Sequence, residues 1–308
     1  MIELSYCVVN TNGRDDLLAC LDAIVATHPE GVPHELLVLD NASTDGSAAV
    51  VRERHPGATL IVRERRTGKA ENDSDLLERA RGRYCLLLNE DAELQEGSVT
   101  ALLAALDADP GAAAAGARLL TSEGEEADCA WRLPDIRWAL AAAVFMHSRV
   151  AVESRGDQVR EVGWVQSSAM LVRREAARQV GWLDPDFFVY SDETDFCKRL
   201  HEAGWRILFA PAARAIHHDQ LSTDSAATTR RIVEFHRNRD LYFRKHGMPV
   251  TRIVWKLCWT WAYLVRAAAA TVLPGHDPRR YLLHARQELS PSRGEGIREA
   301  AAAYNARH

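Results

Sequence analysis

Three acidic clusters carry most of the chemistry this sequence offers. Leu39-Asp40-Asn41-Ala42-Ser43-Thr44-Asp45-Gly46-Ser47 follows an apolar run and opens a helical pattern. Asp40 therefore stands at a strand tip, where a carboxylate accepts from a base N–H or a ribose hydroxyl; the same residue types also serve a plain strand-to-helix turn and its cap. Asn89-Glu90-Asp91-Ala92-Glu93 follows the very apolar residues 84–88. Hard oxygen ligands at such a tip suit Mg2+ or Mn2+, which would neutralise a diphosphate, although a solvated acidic loop has the same composition. Asp192-Glu193-Thr194-Asp195 opens another helical pattern behind the aromatic segment 184–190. Acids there either transfer protons or gain about 0.3 to 1 kcal/mol from the helix dipole without chemistry. His217 and His218 are adjacent on an extended segment, where successive side chains point oppositely, so only one of them is able to join a metal. His28, His34, His55, His147, His201 and His236 have no partner spacing and are expected at the surface.

The elements that must position these clusters are legible in the first ninety residues. Residues 2–9 and 35–39 are short apolar runs, with helical spacing of Leu17, Leu18, Leu21, Ile24 and Val25 between them. The pattern continues with a helix at 46–55, a strand at 58–62, a helix at 73–80 and a strand at 83–88. Strands alternating with helices predict a parallel sheet. The polar clusters at 10–14, 40–45 and 89–93 all follow strands, at the edge where an open sheet holds its ligand. Further on, residues 101–117 read as an alanine-rich helix and turn, and 131–150 as apolar helical matter. Residues 163–172 read as a strand, 173–180 and 192–203 as helices, and 205–210 as a strand.

A chain of 308 residues with 47% apolar and 26% charged residues is long enough for one enlarged catalytic domain, and this composition excludes a mainly disordered, collagen-like or multi-span membrane protein. Six cysteines without a CxxC pair and no signal-like start predict a reducing cytoplasmic setting. The net charge of −5 hides a basic stretch, residues 230–266, with nine Arg or Lys against Glu234 and Asp240. That stretch is confined to one element of an acidic body, which argues against nucleic acid as a partner. The apolar residues 250–273 are interrupted by Arg252, Lys256 and Arg266, each costing roughly 2.5 to 3.5 kcal/mol at a bilayer centre. Instead of spanning, a helix with Val254, Trp255, Leu257, Trp259 and Trp261 as a stripe, with Tyr263 nearby and flanked by Arg252 and Lys256, is expected to lie in the headgroup layer of an anionic membrane surface. The alternative is that the tryptophans pack this extension onto the catalytic domain or onto the second subunit of a homodimer.

In combination the motifs resemble a known family. Cys7-Val8-Val9-Asn10-Thr11-Asn12-Gly13, the cluster at 39–47 and Leu88-Asn89-Glu90-Asp91-Ala92-Glu93-Leu94 resemble the inverting family 2 glycosyltransferases of GT-A fold. Gly163-Trp164-Val165, Met170-Leu171-Val172-Arg173-Arg174, the run 180–190, Asp192-Glu193-Thr194-Asp195-Phe196-Cys197-Lys198-Arg199-Leu200, Gly204-Trp205-Arg206-Ile207 and Ile216-His217-His218 are similar to its rhamnosyltransferase-type branch. The resemblance spans roughly residues 2–218. It implies an α/β GT-A fold, a mainly parallel sheet flanked by helices, in a catalytic domain of residues 1–222. Within it, 1–95 would bind the nucleotide sugar and 96–222 the acceptor, and residues 223–308 would form a helical, basic and aromatic extension.

The resemblance also implies roles. Asn10, Asn12, Asp40, Asn41, Gly68, Lys69, Asn89 and Glu90 match donor-binding positions. Asp91 and His217 match ligands of a divalent metal, Mg2+ or Mn2+. Trp164, Tyr190 and Asp195 match the acceptor side. The family's Glu-Asp-x-Asp segment is here Asp192-Glu193-Thr194-Asp195, with its first two acids exchanged, so that Glu193 takes the register of the catalytic base and Asp192 is the alternative. The family's glycine-rich segment has become Arg66-Thr67-Gly68-Lys69-Ala70-Glu71-Asn72-Asp73-Ser74. Ser167 stands where a glycine is usual, and Glu90 where a proline is common. The implied reaction moves L-rhamnose from dTDP-L-rhamnose onto a polyprenyl-diphosphate-linked GlcNAc in cell-wall or polysaccharide synthesis, at the inner face of the cell membrane. The alternatives are another donor, UDP-galactofuranose or UDP-GlcNAc, and a catalytically silent membrane-bound binding protein of the same fold.

Overall fold

The computed structural model describes residues 2–218 and 225–307. The first half winds β1 (Leu4–Asn10), α1 (Arg14–Thr27), β2 (His34–Asp40), α2 (Ser47–Arg54), β3 (Thr59–Val62), α3 (Lys69–Arg79) and β4 (Tyr84–Asn89) into parallel strands ordered β3-β2-β1-β4. All seven residues of β1 are buried, as a strand covered by helices on both faces requires. On α1, Leu17, Cys20, Leu21 and Ile24 recur at three- and four-residue spacing and bury one stripe. The strand tips therefore end together at one edge, carrying Asn10, Asp40 and Asn89.

The second half comprises β5 (Ala92–Leu94), α4 (Ser98–Ala108), β6 (Ala112–Leu120), β7 (Ala130–Trp131), α5 (Ile136–Ala143), α6 (His147–Ala151), β8 (Arg160–Val162), β9 (Trp164–Val165), β10 (Ala169–Arg173), α7 (Arg174–Gln179), α8 (Asp192–Glu202) and β11 (Arg206–His217). The sheet continues β4-β10-β6-β11-β5, with β8 also on β11, while β7 and β9 pair apart. Here the sheet, wholly parallel in the first half, becomes mixed while parallel pairing still predominates. The chain re-enters the sheet with Ala169 beside Leu88, at the carboxyl end of β4, so β10 runs back down, antiparallel to both β4 and β6, and β5 and β8 are antiparallel to β11.

Residues 112–117 correct the reading of an alanine-rich helix and turn. They begin β6, whose nine residues are all buried. A Cβ on Gly116 would lie 2.5 Å from Cβ of Val165, so only small side chains fit beneath β9, and packing overrides alanine's helix preference. The single strand read at 163–172 is divided into β9 and β10 by residues 166–168, and α3 starts at Lys69 rather than at 73.

The extension forms α9 (Ser225–Lys245), α10 (Pro249–Ala270), α11 (Pro278–Leu289) and α12 (Ile297–Asn305). The expected domain boundary at 222 lies outside the described residues. Phe187, Tyr242, Phe243, Trp255, Trp259 and Tyr263 build a second core that joins the extension to the loop before α8. This corrects the expected stripe: Trp255 and Trp259 are only 2% and 8% exposed, and Arg252 and Lys256 both ion-pair with Asp240, at 2.7 and 2.8 Å. The exposed face of α10 carries Ile253, Leu257, Trp261 and Leu264 instead. No helix among the described residues is long and apolar enough to cross a membrane. His236, expected at the surface, is buried against Glu288 and His284, 2.9 Å from each.

Candidate active site

At the carboxyl edge the polar residues of the strand tips hold one another. Asn10 is fully buried; its amide donates to Asp40 Oδ1 at 2.9 Å and to Ser43 Oγ at 3.1 Å, and its carbonyl accepts from Gly13 N. Asp40 also accepts from Ser43 N. Asn12 clips the two loops together, donating its N–H to Ser43 Oγ and accepting from Thr44 N. Its φ of 57° and that of Ala42, 55°, are left-handed, a local strain these bonds sustain. Gly68 is required by close approach, since a Cβ there would lie 2.6 Å from the carbonyl of Phe188.

Beside this network opens a cavity of about 540 Å3, lined by Thr11, Asn41, Lys69, Asn89 and Glu90 among others. Of the expected donor residues, Asn41, Lys69, Asn89 and Glu90 therefore face it, whereas Asn10, Asn12, Asp40 and Gly68 shape the loops behind it. Burial and the neighbouring Asp91 raise the Glu90 carboxyl to about 7. Burial opposes charge on Lys69, but Asp73, at 2.6 Å, together with Asp192 and Glu193 keeps it firmly protonated.

Asp91 and His217 meet because β5 and β11 pair antiparallel, aligning His217 with Ala92. Asp91 Oδ1 lies 3.2 Å from His217 Nε2, which also contacts Asn89 Nδ2 at 3.3 Å and Ser168 Oγ at 3.2 Å. His218 turns away to Glu93 and Ser122, as the alternation of a strand demands. Among the described residues no group of three or more His, Cys, Asp or Glu forms a closed cage. An acid and an imidazole this close fit a divalent cation that draws its other ligands from phosphate and water, the usual habit of Mg2+.

The loop 184–191 leads into α8. Tyr190 and Ser191 have left-handed φ of 68° and 61°, and Asp192, Thr194 and Asp195 at the start of the helix are buried. Burial and then the adjacent Glu193 push the Asp192 carboxyl well above the usual range, and both its oxygens lack a hydrogen-bond partner among the described residues. Asp195 is ion-paired to Arg199 at 2.7 Å and to His246 at 2.9 Å, which anchors α8 rather than opening toward a cavity. Glu193, Trp164 and Tyr190 instead line a second, aromatic cavity of about 350 Å3. The loop divides the two: Phe188 and Val189 line the first cavity, Tyr190 and Ser191 the second.

Sequence reasoning expected a helical extension but did not place its last helix at the first cavity. Tyr304 and Arg307 line the first cavity. Asn305 accepts from Arg66 N at 2.7 Å and donates to Arg66 O at 2.9 Å, while Tyr304 donates to Ala42 O and lies under the Arg66 guanidinium at 3.8 Å. No spacing in the sequence signals a contact between positions so far apart. Trp255, Trp259 and Arg239 of the aromatic cavity were legible only as a basic and aromatic stretch.

The edge-on crevice, the acid–imidazole pair and the acidic helix start define a sugar-nucleotide transferase of GT-A type. The family model for Glycosyl transferase family 2 matches residues 5–135, and that for Glycosyl transferase family group 2 matches 84–276; the chain belongs to glycosyltransferase family 2, and it is a glycosyltransferase. It is 30% identical over 210 residues to the N-acetylglucosaminyl-diphospho-decaprenol L-rhamnosyltransferase of Mycobacterium tuberculosis, covering 62% of this chain and 68% of that one. It is 41% identical over 69 residues to the rhamnosyltransferase WbbL of Escherichia coli, covering 21% and 26%. In fold it is similar to the mannosyltransferase PcManGT of Pyrobaculum calidifontis in complex with GDP-Man and Mn2+ (TM-score 0.59, 19% identity, 99% of this chain and 85% of that one). It is likewise similar to GalNAc-T7 with UDP, GalNAc and Mn2+ (TM-score 0.59, 14% identity, 99% and 57%).

Proposed function

We propose that this glycosyltransferase moves L-rhamnose from dTDP-L-rhamnose onto a polyprenyl-diphosphate-linked GlcNAc by one inverting displacement at the anomeric carbon. The observation that carries the reading is the loop 184–191, with a cavity of about 540 Å3 that Asn41, Lys69 and Asn89 line on one side and Glu193 in an aromatic cavity on the other. The donor would occupy the first and the acceptor the second; residues 1–95 supply about half of the donor side, and the 184–191 loop and the C-terminal extension the rest. Glu193 takes the proton of the attacking hydroxyl. Asp192 is the weaker choice, because its buried carboxyl lines neither cavity. Lys69 and Asn89 bind the diphosphate, and Asn41 and Thr67 the nucleoside. A divalent cation held by Asp91 and His217 would neutralise charge on the departing nucleoside diphosphate. The choice of rhamnose and of a lipid-linked acceptor is supported by the mycobacterial relative's stated activity.

A peripheral membrane position suits such an acceptor. Ile253, Leu257, Trp261 and Leu264 of α10 are exposed beside Leu140 of α5 and Val144, Phe145 and Met146, which follow it, and Arg266 lies 5.5 Å from the Phe145 ring. Cosedimentation with anionic vesicles should be lost in Leu257→Glu with Trp261→Glu; unchanged cosedimentation would remove the membrane from the reading.

Thermal shift with a donor panel tests the reaction. dTDP-L-rhamnose with Mn2+ should stabilise most, by about 2.7 kcal/mol at a hundredfold excess over Kd. Greater stabilisation by UDP-galactofuranose or UDP-GlcNAc would reassign the donor.

A further inference from the structure

The buried face of α10 ends in a charge. Trp255, Trp259 and Tyr263 recur at four-residue spacing and belong to the second core, and Arg266, three residues further on, continues the same face. Its guanidinium lies 5.9 Å from the Trp259 and Tyr263 rings, which line the aromatic cavity, and 5.5 Å from the ring of Phe145, which belongs to the exposed apolar face. Arg266 therefore stands between the cavity and that face. The other two cations of α10, Arg252 and Lys256, both ion-pair with Asp240. Arg266 has neither an ion-pair partner nor a hydrogen-bond acceptor among the described residues, yet none of its nitrogens is closed to solvent.

Aromatic faces attract a cation through their quadrupole but accept none of its in-plane hydrogen bonds. The N–H donors of a guanidinium lie in one plane, and their fork matches two oxygens of a phosphate. His147, whose ring packs on Trp259 at 5.0 Å, adds a second basic group on this side, and burial and then Arg266 hold its imidazole below the usual range. Neither of the two is paired with an acid among the described residues, so the position suits an anion.

We infer that Arg266 binds a phosphate of the acceptor, at the point where a sugar held in the aromatic cavity passes to a hydrocarbon chain on the exposed face of α10; this rests on the lipid-linked acceptor proposed above and names the residue that reads its charged link. The order of surfaces around α10 matches the order of such a molecule: aromatic cavity, cation, apolar face. Arg239, the cation that lines the cavity itself, is engaged by Glu288 and by His236 Nδ1, which leaves the phosphate to Arg266. A phospholipid headgroup offers the same phosphate chemistry from the membrane, so the probes below separate an acceptor phosphate from a headgroup.

Calorimetric titration of the whole chain, with dTDP and Mn2+ present to occupy the first cavity, compares N-acetylglucosamine 1-phosphate with methyl N-acetylglucosaminide; cosedimentation with vesicles of phosphatidylcholine and phosphatidylglycerol runs beside it. In the parent chain the sugar phosphate should bind about tenfold tighter than the neutral glycoside, the size of one charge-assisted contact. Arg266→Gln should abolish that difference and leave glycoside and dTDP affinity unchanged. Arg266→Lys should restore part of it, since the charge returns without the fork. Vesicle binding should be the same in all three proteins. A preference for the sugar phosphate that survives in Arg266→Gln would overturn the assignment. Vesicle binding that falls in Arg266→Gln while the preference stays would give the arginine to a headgroup instead. The two levels fail differently: if both probes bind the parent chain equally, only the phosphate contact is lost, whereas if neither binds while dTDP does, the carbohydrate acceptor falls and the contact with it.

Discussion

The two cavities on either side of the 184–191 loop are built on opposite principles. Behind the cavity proposed for the donor, Asn10, Asn12, Asp40 and Ser43 direct their polar groups at one another, so the loops are fixed before any ligand arrives. In the aromatic cavity four indoles and a tyrosine keep theirs unspent. A satisfied network positions a ligand by its rigid outline, whereas aromatic walls offer a ligand flat apolar surface. The contrast sets a fixed polar frame on the proposed donor side against an aromatic surface on the proposed acceptor side.

The largest break in that contrast should come where the two meet. Glu193→Gln is expected to lower turnover by at least about 10²-fold, the lower end of general-base contributions, with donor affinity unchanged by calorimetry. Asp192→Asn should cost much less, because Asp192 is buried and lines neither cavity. If Asp192→Asn instead abolishes turnover, the order of the exchanged acids is functional and Glu193 is not the base. On the donor side alone, Asp91→Ala should remove the Mn2+ dependence of nucleotide binding and lower turnover about 10²-fold, consistent with the several kcal/mol a bound cation supplies. Nucleotide affinity that still responds to Mn2+ in the folded variant would exclude Asp91 as a ligand.

Acid should weaken the aromatic side first. His284, stacked on Tyr263 at 4.7 Å, is lowered to about 3 by burial and by His236, and burial lowers His236 as well. A histidine whose folded pKa lies below its unfolded value of about 6.5 contributes stability that is present above 6.5 and lost as pH falls toward the folded value. For His284 the loss is about 2 kcal/mol by pH 5. Carboxylates held low, such as Asp240 and Glu299, give up their contribution only at lower pH. Melting temperature followed from pH 7.5 to 5 should fall less steeply in His284→Gln than in the parent; parallel curves would remove the histidine pair as the cause. The smallest effect expected is that of Asn305→Ala, which removes two hydrogen bonds to Arg66 and should weaken nucleotide binding about fivefold, near 1 kcal/mol. Unchanged affinity would mean that α12 only borders the cavity.

Legibility in the sequence followed the same division. The alternation of β1 to β4 was plain because each element is short, strongly patterned and punctuated by its own polar tip, and local signals suffice for parallel units wound in order. β6 was misread because alanine's preference points to helix while the reason for alanine, the approach of Val165 to Gly116, comes from a residue almost fifty positions away. Asp40 and Gly68 stood out by type, yet their bonds and close contacts place them behind the cavity, a distinction that only three-dimensional neighbours reveal. Trp255 and Trp259 looked like residues of a membrane-facing stripe because the burial of one helical face is decided by its partner helices, which composition does not name.

The last helix has a consequence for how the protein comes into being. Tyr304 reaches Ala42 across 262 positions and Asn305 reaches Arg66 across 239, so one wall of the donor cavity is supplied almost a whole chain later than the opposite one. Contacts of such separation form late, since the closure entropy of the intervening loop must be met before they yield anything. During synthesis at about 5–20 residues per second, the sheet and its strand-tip network are out of the ribosome well before residue 305. A nascent chain thus passes through a state with a formed crevice and no outer wall, and in the proposed reading nucleotide is held only once residues 297–305 have docked.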